Sequence, residues 1–132
     1  GGRLDLTRVH FLGRVNRQTY LNVLGVSAAH VYLTYPFVAS WSLFESLCAG
    51  CLVFGSRTPP VEEVIQDGRN GVLIDFFDHK ALASALSAAL DRPTDFAHLR
   101  LQARSDAVAR YDFRTVALPR WLETIDRVMS RP

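Results

Sequence analysis

The stretch CLVFGSRTPPVEEVIQDGRNGVLID, residues 51–75, carries the clearest fold signal in the chain. Its first five residues are almost wholly apolar, which is typical of a strand covered on both faces in a parallel sheet. Thr58 and Pro59 then predict the start of a helix that ends near Gln66. The Asn-Gly pair at 70–71 predicts a turn into the apolar run VLID. A strand, a helix and a second strand in this order predict a right-handed β-α-β unit.

The same alternation continues along the chain. The expected strands are VHFL at 9–12, HVYLT at 30–34, CLVFG at 51–55 and VLID at 72–75. Helices are expected between them, including one over 17–27 and one from about Trp41 or Ser42 to Ala49, and only helices follow Pro93. The sequence therefore predicts an α/β fold: a Rossmann-like parallel sheet of about four strands flanked by helices, with an all-helical C-terminal tail. We expect residues 1–132 to form a single domain.

Composition excludes several classes of function. The chain has 132 residues, is 48% hydrophobic and carries 15 Lys and Arg against 13 Asp and Glu. These charges alternate and form no dense basic run, so no nucleic-acid partner is expected. No apolar stretch reaches the roughly 20 residues of a membrane span, and the polar N-terminus lacks the pattern of a signal peptide. A cytoplasmic protein is the default expectation.

The two cysteines form a C-x-x-C pair, Cys48 and Cys51. A redox pair normally opens a helix, where the dipole lowers the thiol pKa, but this pair straddles Gly50 between a helix and a strand. A zinc site needs two further ligands at suitable spacing, and no histidine lies close by in sequence. The interpretation is two small buried residues, with no metal site expected.

Ligands of open parallel sheets bind beyond the carboxyl ends of the strands. This rule selects the loops 13–17, 35–42 and 55–60, of which the second leads directly into a helix. Free amides of Ser42, Leu43 and Phe44, backed by the helix dipole, would favour a phosphate or diphosphate. Arg14 and Arg57 lie in the flanking loops, and either could reach an anion.

Glu45 has two interpretations at this stage. Ser42 and Glu45 have the spacing of a capping box, in which the two side chains bond each other's backbone amides. The same carboxylate could instead accept hydrogen bonds from sugar hydroxyls in a cleft. Spacing alone favours the cap.

Four segments together resemble a known family: VHFLGRV, YLNVLGVSAAHVYLTYPF, SLFESLCAGCLVFGSRTPPVEEVIQDGRNGVLIDFFD and ARSDAVARYDFRTVALPRWLETI. They are similar to the C-terminal nucleotide-sugar-binding domain of retaining, family-four-type glycosyltransferases of the GT-B fold. The resemblance runs from about Val9 to Val128. It implies a truncated C-terminal domain of a GT-B enzyme that transfers a sugar from a nucleotide-diphosphate donor.

The resemblance also implies roles for individual residues. Glu45 would hold the ribose hydroxyls of the nucleotide, a role that does not exclude the cap because a carboxylate has several acceptor sites. With the resemblance included, the ligand role of Glu45 is favoured over a cap alone. Backbone amides would approach the diphosphate and sugar, from Ser40, Trp41, Ser42 and Leu43. The nucleobase would lie near Gly13, Arg14 and Val15.

One departure from the family pattern concerns catalysis. Such enzymes carry another glutamate eight positions before the ribose-binding one, and here that position is Phe37. Phenylalanine accepts no hydrogen bonds from sugar hydroxyls, although it could stack on an apolar sugar face or simply belong to the core. No catalytic residue is therefore expected within this chain.

The expected ligands and partners follow from the same resemblance. The donor nucleotide sugar is the expected ligand, with no cofactor. A separate N-terminal acceptor domain is the expected partner, and an apolar flank left without that domain predicts self-association. The isolated chain should bind the donor weakly and without turnover.

Two other functions remain open from the sequence. The chain could be a non-catalytic Rossmann-like module that serves assembly, which would form a defined oligomer and bind no nucleotide. It could also be part of a nucleotide-sugar epimerase, whose upstream half would carry carboxylates and a histidine suited to elimination chemistry.

Overall fold

A three-stranded parallel sheet lies at the centre of a computed structural model that describes residues 5–35 and 38–130. The strands are β1 (His30–Tyr32), β2 (Val53–Ser56) and β3 (Val72–Ile74). Their order in the sheet is β1-β2-β3, and both pairs are parallel. The carboxyl ends of all three strands therefore meet at one edge of the sheet.

β2 is the central strand and is buried along its whole length. Val53 and Phe54 are each 0% exposed, and because successive side chains of a strand alternate they serve opposite faces. The almost wholly apolar composition that predicted this strand is the composition that burial on both faces requires. This part of the prediction is confirmed.

The prediction of about four strands is wrong, because residues 9–12 form no strand. Phe11 is 89% exposed, and Val9 donates its backbone N–H to the carbonyl of Leu6, which closes a 3₁₀ turn. An apolar run becomes a strand only when a neighbouring strand satisfies its backbone groups. Within the described ranges, no such neighbour lies beside residues 9–12.

Six α-helices surround the sheet in the part of the chain that the structure describes. They are α1 (Arg17–Val26), α2 (Trp41–Cys48), α3 (Pro59–Glu62), α4 (His79–Asp91), α5 (Ala97–Tyr111) and α6 (Leu118–Met129). A 3₁₀ turn precedes α5 at Pro93–Phe96, and a π-helical turn joins α5 to α6 at Phe113–Ala117. The all-helical C-terminal tail is confirmed for the residues described after Pro93.

α3 is shorter than the sequence predicts, because it ends at Glu62 and not near Gln66. The side chain of Asn70 accepts a hydrogen bond from the Gln66 N–H at 2.7 Å and donates to the Val64 carbonyl at 3.2 Å. These bonds satisfy backbone groups that a longer helix would have used.

Helices cover both faces of the sheet, and each face has its own apolar cluster. On one face, residues of α1, α2, α3 and α5 pack against β1 and β2, including Leu24, Leu43, Leu47, Val53, Val61 and Ala103. On the other face, α4 and the start of α5 pack against β2, through Leu52, Phe54, Leu82, Leu86, Ala89 and Leu99. The domain therefore has three layers.

Polar contacts anchor α5 to the turn between α3 and β3. Asp106 accepts from Arg69 at 2.8 Å and from the Asn70 side chain at 3.0 Å. Asn70 is only 1% exposed, so its hydrogen bonds replace those that water would make. The contacts fix α5 beside the sheet, where its arginines reach α2.

The last helix, α6, is the least buried element. None of its residues is buried, and one side exposes a row of apolar residues at helical spacing, Leu118, Trp121, Leu122, Ile125, Val128 and Met129. Among the residues that the structure describes, no helix has both the length and the apolar composition of a membrane span.

Gly55 tests how tightly the central strand is packed. A Cβ there would lie 2.8 Å from Val61 Cγ1 and 3.1 Å from Ile65 Cδ1, closer than ordinary contacts. We expect Gly55→Ala to reduce the free energy of unfolding by about 1–3 kcal/mol, as overpacked cores do. Equilibrium unfolding in urea measures this change.

Gly25→Ala is the matched control, because a Cβ at Gly25 would meet nothing within 4 Å. Gly25 lies in α1, where alanine is the better helix former, so the control should be neutral or stabilising by up to roughly 1 kcal/mol. Equal destabilisation by both substitutions would contradict the tight packing of β2 against α3.

Candidate functional site

α2 begins just beyond the carboxyl end of β1, and Ser40 is its N-cap residue. Ser42 lies inside the helix, at its second position, and its hydroxyl is 2.6 Å from that of Ser40. The capping-box interpretation of Ser42 and Glu45 is therefore wrong, because the helix starts two residues earlier than that motif requires. The carboxylate of Glu45 is left to other partners.

Backbone amides at this helix start differ in their availability. The Ser40 N–H donates to the Tyr32 hydroxyl at 2.9 Å, and the Leu43 N–H donates to the Ser40 carbonyl at 3.1 Å. The amides of Trp41 and Ser42 have no acceptor within residues 5–35 and 38–130. Of the four amides expected near a diphosphate, two are thus already bonded, and two have no partner among the residues that the structure describes.

The side chains of α2 separate a buried face from a solvent face. Leu43 and Leu47 are 0% and 1% exposed and fix the helix to the sheet, so Leu43 contributes only backbone to any site. Trp41 is 83% exposed, and its ring lies 6.5 Å from that of Phe44. An exposed tryptophan at a helix N-terminus offers an apolar plane to a ligand.

At its other end, α2 is held by arginines of α5. Arg100 Nε donates to the Gly50 carbonyl at 2.9 Å, and Arg104 donates to the Cys48 carbonyl. Gly50 follows the C-cap residue Ala49 and has a φ of 74°, as is common for glycine at the C′ position. Cationic groups at the C-terminal, negative end of the helix dipole stabilise α2. Among the described residues, these arginines make no hydrogen bond to the N-terminus of the helix.

Glu45 turns toward α1, which supplies its neighbours. Arg17 Nη1 donates to Glu45 Oε1 at 3.1 Å, and the Glu45 side chain is 28% exposed against 75% for Arg17. The Tyr20 hydroxyl is buried beside Glu45 and makes no hydrogen bond within ordinary distance and angle limits among the described residues. Burial of this hydroxyl, followed by the negative charge of Glu45, raises the pKa of Tyr20.

A groove of about 1200 Å³ opens between α1, α2, α5 and the start of α6. Its volume exceeds the roughly 300–1,000 Å³ of ordinary ligand pockets. Glu45 is the one carboxylate among the lining residues, which also include four arginines. The remaining lining is mainly apolar: Leu21, Gly25, Trp41, Phe44, Cys48, Ala49, Tyr111, Val116, Ala117 and Trp121. The arginines are Arg17, Arg104, Arg110 and Arg120.

A smaller cavity of about 630 Å³ lies on the other side of Phe44, toward α3. Phe44 and Tyr111 separate the two cavities, with their rings 4.8 Å apart in an edge-to-face arrangement. Arg110 stacks over Tyr111 at 5.1 Å and donates to the Glu63 carbonyl at 3.0 Å. This aromatic and cationic wall closes the groove beside α2.

The sequence-predicted site residues are only partly brought together. Trp41 and Glu45 line the groove, whereas Ser40, Ser42 and Leu43 do not. Gly13, Arg14 and Val15 form the loop before α1 and are also outside the lining; Gly13 has a φ of 60°, and Arg14 is exposed. Phe37, the position of the expected family glutamate, lies outside the described residues.

Arg57, the second candidate for an anion, has protein partners. It bonds Asp67 at 2.6 Å and the Leu73 carbonyl at 3.2 Å. These contacts tie the loop after β2 to β3, so Arg57 acts as a structural residue in this arrangement.

The prediction that both cysteines are buried is correct for one of them and wrong for the other. Cys51 is buried and donates to the Leu24 carbonyl at 3.2 Å, but Cys48 is exposed in the groove. Burial raises the pKa of both thiols, which disfavours the thiolate that redox chemistry needs. Within the described ranges, no three His, Cys, Asp or Glu side chains are grouped as a metal site would require.

The family model for glycosyl transferases group 1 matches residues 4–106, well over half of the chain. The chain belongs to this family. No curated protein sequence matches this glycosyltransferase domain. Its match to the family agrees with the sequence motifs around α2 and between β2 and β3.

Solved structures share the fold of this glycosyltransferase domain. HepE from Anabaena in complex with UDP-glucose superposes with a TM-score of 0.73 and 18% identity over 80% of this chain. The complex of HepE with UDP gives a TM-score of 0.71. Sucrose-phosphate synthase from Thermosynechococcus elongatus gives 0.76, with 24% identity over 95% of this chain. The domain has the GT-B type of fold, and it spans 29% of the HepE chain and 31% of the synthase chain.

Sequence reasoning missed several residues that line the groove. Arg17, Leu21 and Gly25 recur every four residues, so the predicted helix α1 already placed them on one face. The arginines of α5 and α6 gave no such signal, because their approach to α2 depends on tertiary packing.

Tyr32 links the sheet to the start of α2 and provides a test of the site geometry. We expect Tyr32→Phe to lower the free energy of unfolding by about 1 kcal/mol, because the Ser40 N–H loses its acceptor. Hydrogen exchange at the Ser40 amide should accelerate as well.

Tyr35→Phe serves as the control, since Tyr35 is 61% exposed. It should change both measurements little. If Tyr32→Phe and Tyr35→Phe behaved alike, Tyr32 would not be the residue that holds the helix start.

Proposed function

We propose that this domain binds the nucleotide of a nucleotide-diphosphate sugar and forms part of an enzyme that transfers the sugar to an acceptor. The observation that carries the proposal is the pairing of two features at the start of α2. The Glu45 carboxylate faces the groove, and one turn earlier Trp41 and Ser42 retain free amides among the described residues. The ribose hydroxyls of a nucleotide need a hydrogen-bond acceptor, and the diphosphate attached to the ribose needs hydrogen-bond donors.

Each part of the donor has a chemically suitable counterpart. Glu45 accepts hydrogen bonds from the ribose hydroxyls, which are charge-assisted and therefore strong. The amides of Trp41 and Ser42 donate to phosphate oxygens, with the positive end of the helix dipole behind them. The loop Gly13–Val15, which precedes α1, lies next to the nucleobase in this arrangement.

The domain contributes to sugar transfer by stabilising the leaving group. Transfer breaks the bond between the sugar carbon and the terminal phosphate oxygen, and a new bond forms from that carbon to an acceptor oxygen. The proton of the acceptor hydroxyl passes to the departing diphosphate or to solvent. Negative charge grows on the departing diphosphate. Donors already oriented at the start of α2 stabilise that charge.

Binding of UDP-glucose and of UDP by HepE, which has the same fold, supports a nucleotide-sugar donor here. The chain spans under a third of the HepE and synthase chains. We therefore propose that a further domain of a longer protein binds the acceptor and supplies catalytic residues.

Thermal melts of the chain with UDP, GDP, ADP and their common sugar conjugates test the proposal. Ligand at one hundred times its dissociation constant stabilises the folded state by about 2.7 kcal/mol, which raises the melting temperature by several degrees. We expect one nucleotide to give such a shift, and Glu45→Ala to abolish it while the chain remains folded.

Glu123→Ala is the matched control, because Glu123 is an exposed glutamate of α6 that pairs with Arg127 outside the groove. It should keep the shift. No shift with any nucleotide for the folded wild type would contradict donor binding and favour a non-catalytic module.

The exposed row of α6 supports a proposal about assembly. We propose that it packs on the further domain of a longer protein and on a second copy in the isolated chain, since exposed apolar patches mark interaction sites. Sedimentation should then show concentration-dependent dimers, weakened by Ile125→Gln and retained in Glu123→Gln on the opposite side of α6. A wild type that stays monomeric at high concentration would contradict self-association.

A further inference from the structure

The Glu45 carboxylate has one hydrogen-bonded partner in the described part of the chain, and it comes from another helix. Arg17 in the first turn of α1 donates from Nη1 to Glu45 Oε1 at 3.1 Å, across 28 positions of sequence. The contact leaves Oε2 and the second lone pair of Oε1 available to a ligand. The guanidinium is a rigid planar fork, so a single bond from it restricts the orientation of the carboxylate.

Tyr20 is a second residue that restricts the orientation of the Glu45 carboxylate. It lies three residues after Arg17 on α1, so both side chains project from the same side of the helix. Its ring packs against the apolar cluster that contains Leu24 and Leu47, and its hydroxyl is buried beside Glu45. The Glu45 side chain therefore has two neighbours from α1, an exposed arginine and a tyrosine whose hydroxyl is buried.

We propose that Arg17 is a positioning residue that holds the Glu45 carboxylate in the orientation in which it accepts hydrogen bonds from both ribose hydroxyls. This inference rests on the proposed nucleotide-binding function and deepens it. A diol is recognised by one carboxylate only when its oxygens face the two hydroxyls together, and a freely rotating side chain loses that selectivity.

Among the described residues, no other groove arginine forms an ion pair with Glu45, and two of them have partners of their own. Arg104 donates to the Cys48 carbonyl at the far end of α2. Arg110 bonds the Glu63 carbonyl and stacks on Tyr111. Arg17 is the groove arginine that contacts Glu45.

Arg17 contributes little to folding, which makes its role separable. Its side chain is 75% exposed, and exposed ion pairs add little to stability in water. Substitution of Arg17 should therefore leave the melting temperature of the free chain nearly unchanged, while the recognition of the ribose changes.

The test compares ribose with deoxyribose. For whichever of UDP, GDP and ADP binds the wild type, calorimetry gives its dissociation constant and those of its 2′-deoxy and 3′-deoxy counterparts. Loss of a hydrogen bond to a charged group weakens binding by roughly 10- to 100-fold, so the wild type should discriminate by that factor. We expect Arg17→Ala to reduce the discrimination to less than about threefold by the same reasoning, and Arg17→Lys to restore part of it.

The ratio between the dissociation constants of the ribose and deoxyribose nucleotides separates the positioning role of Arg17 from the effect of its charge. Removing a cation weakens the binding of every diphosphate alike, so charge alone does not alter the ratio between ribose and deoxyribose. Arg127→Ala is the matched control, because Arg127 forms a similar exposed pair with Glu123 at 3.0 Å, away from the groove. It should keep the wild-type ratio.

The possible results of this calorimetry distinguish three claims: the role of Arg17, the ribose contact of Glu45, and nucleotide binding itself. Undiminished discrimination in Arg17→Ala would overturn the positioning role while leaving nucleotide binding intact. A wild type that binds but does not discriminate would refute the ribose contact of Glu45, and the role of Arg17 with it. A wild type that binds no nucleotide would refute the proposed function itself.

Discussion

Burial of β2 is the constraint on which the rest of the domain depends. Val53 and Phe54 are fully buried on opposite faces of the sheet, so the strand requires helices on both sides. α2 and α3 cover one face, and α4 covers the other. Gly55 lets α3 approach the strand closely, because any side chain there would meet Val61. The same packing sets where each helix starts at the carboxyl edge of the sheet.

The candidate site is a consequence of how α2 is fixed. Its buried leucines and the α5 arginines at its C-terminus hold one side and one end of the helix. The free end faces the carboxyl edge of the sheet, with Tyr32 bonded to Ser40. Glu45 is thereby presented to the groove from a rigid element, as a selective binding site requires. The residues that stabilise α2 and those of the candidate site thus lie on different sides of one short helix.

Sequence reasoning recovered the features that local chemistry determines. The buried strand β2 and the start of α3 at Pro59 both follow from residue type and spacing. It failed where the outcome depends on a distant partner. Residues 9–12 have strand composition but no neighbouring strand, and Ser42 has cap spacing although the helix begins earlier. The contact between Arg17 and Glu45 joins two helices and leaves no local pattern.

A crystal structure of the chain with a bound nucleoside diphosphate tests the central claim most directly. We expect the ribose hydroxyls within hydrogen-bond distance of the Glu45 carboxylate, and diphosphate oxygens at the amides of Trp41 and Ser42. A nucleotide bound elsewhere, such as in the smaller cavity beside α3, would contradict a donor site at the start of α2. So would a nucleotide in the groove whose ribose makes no contact with Glu45.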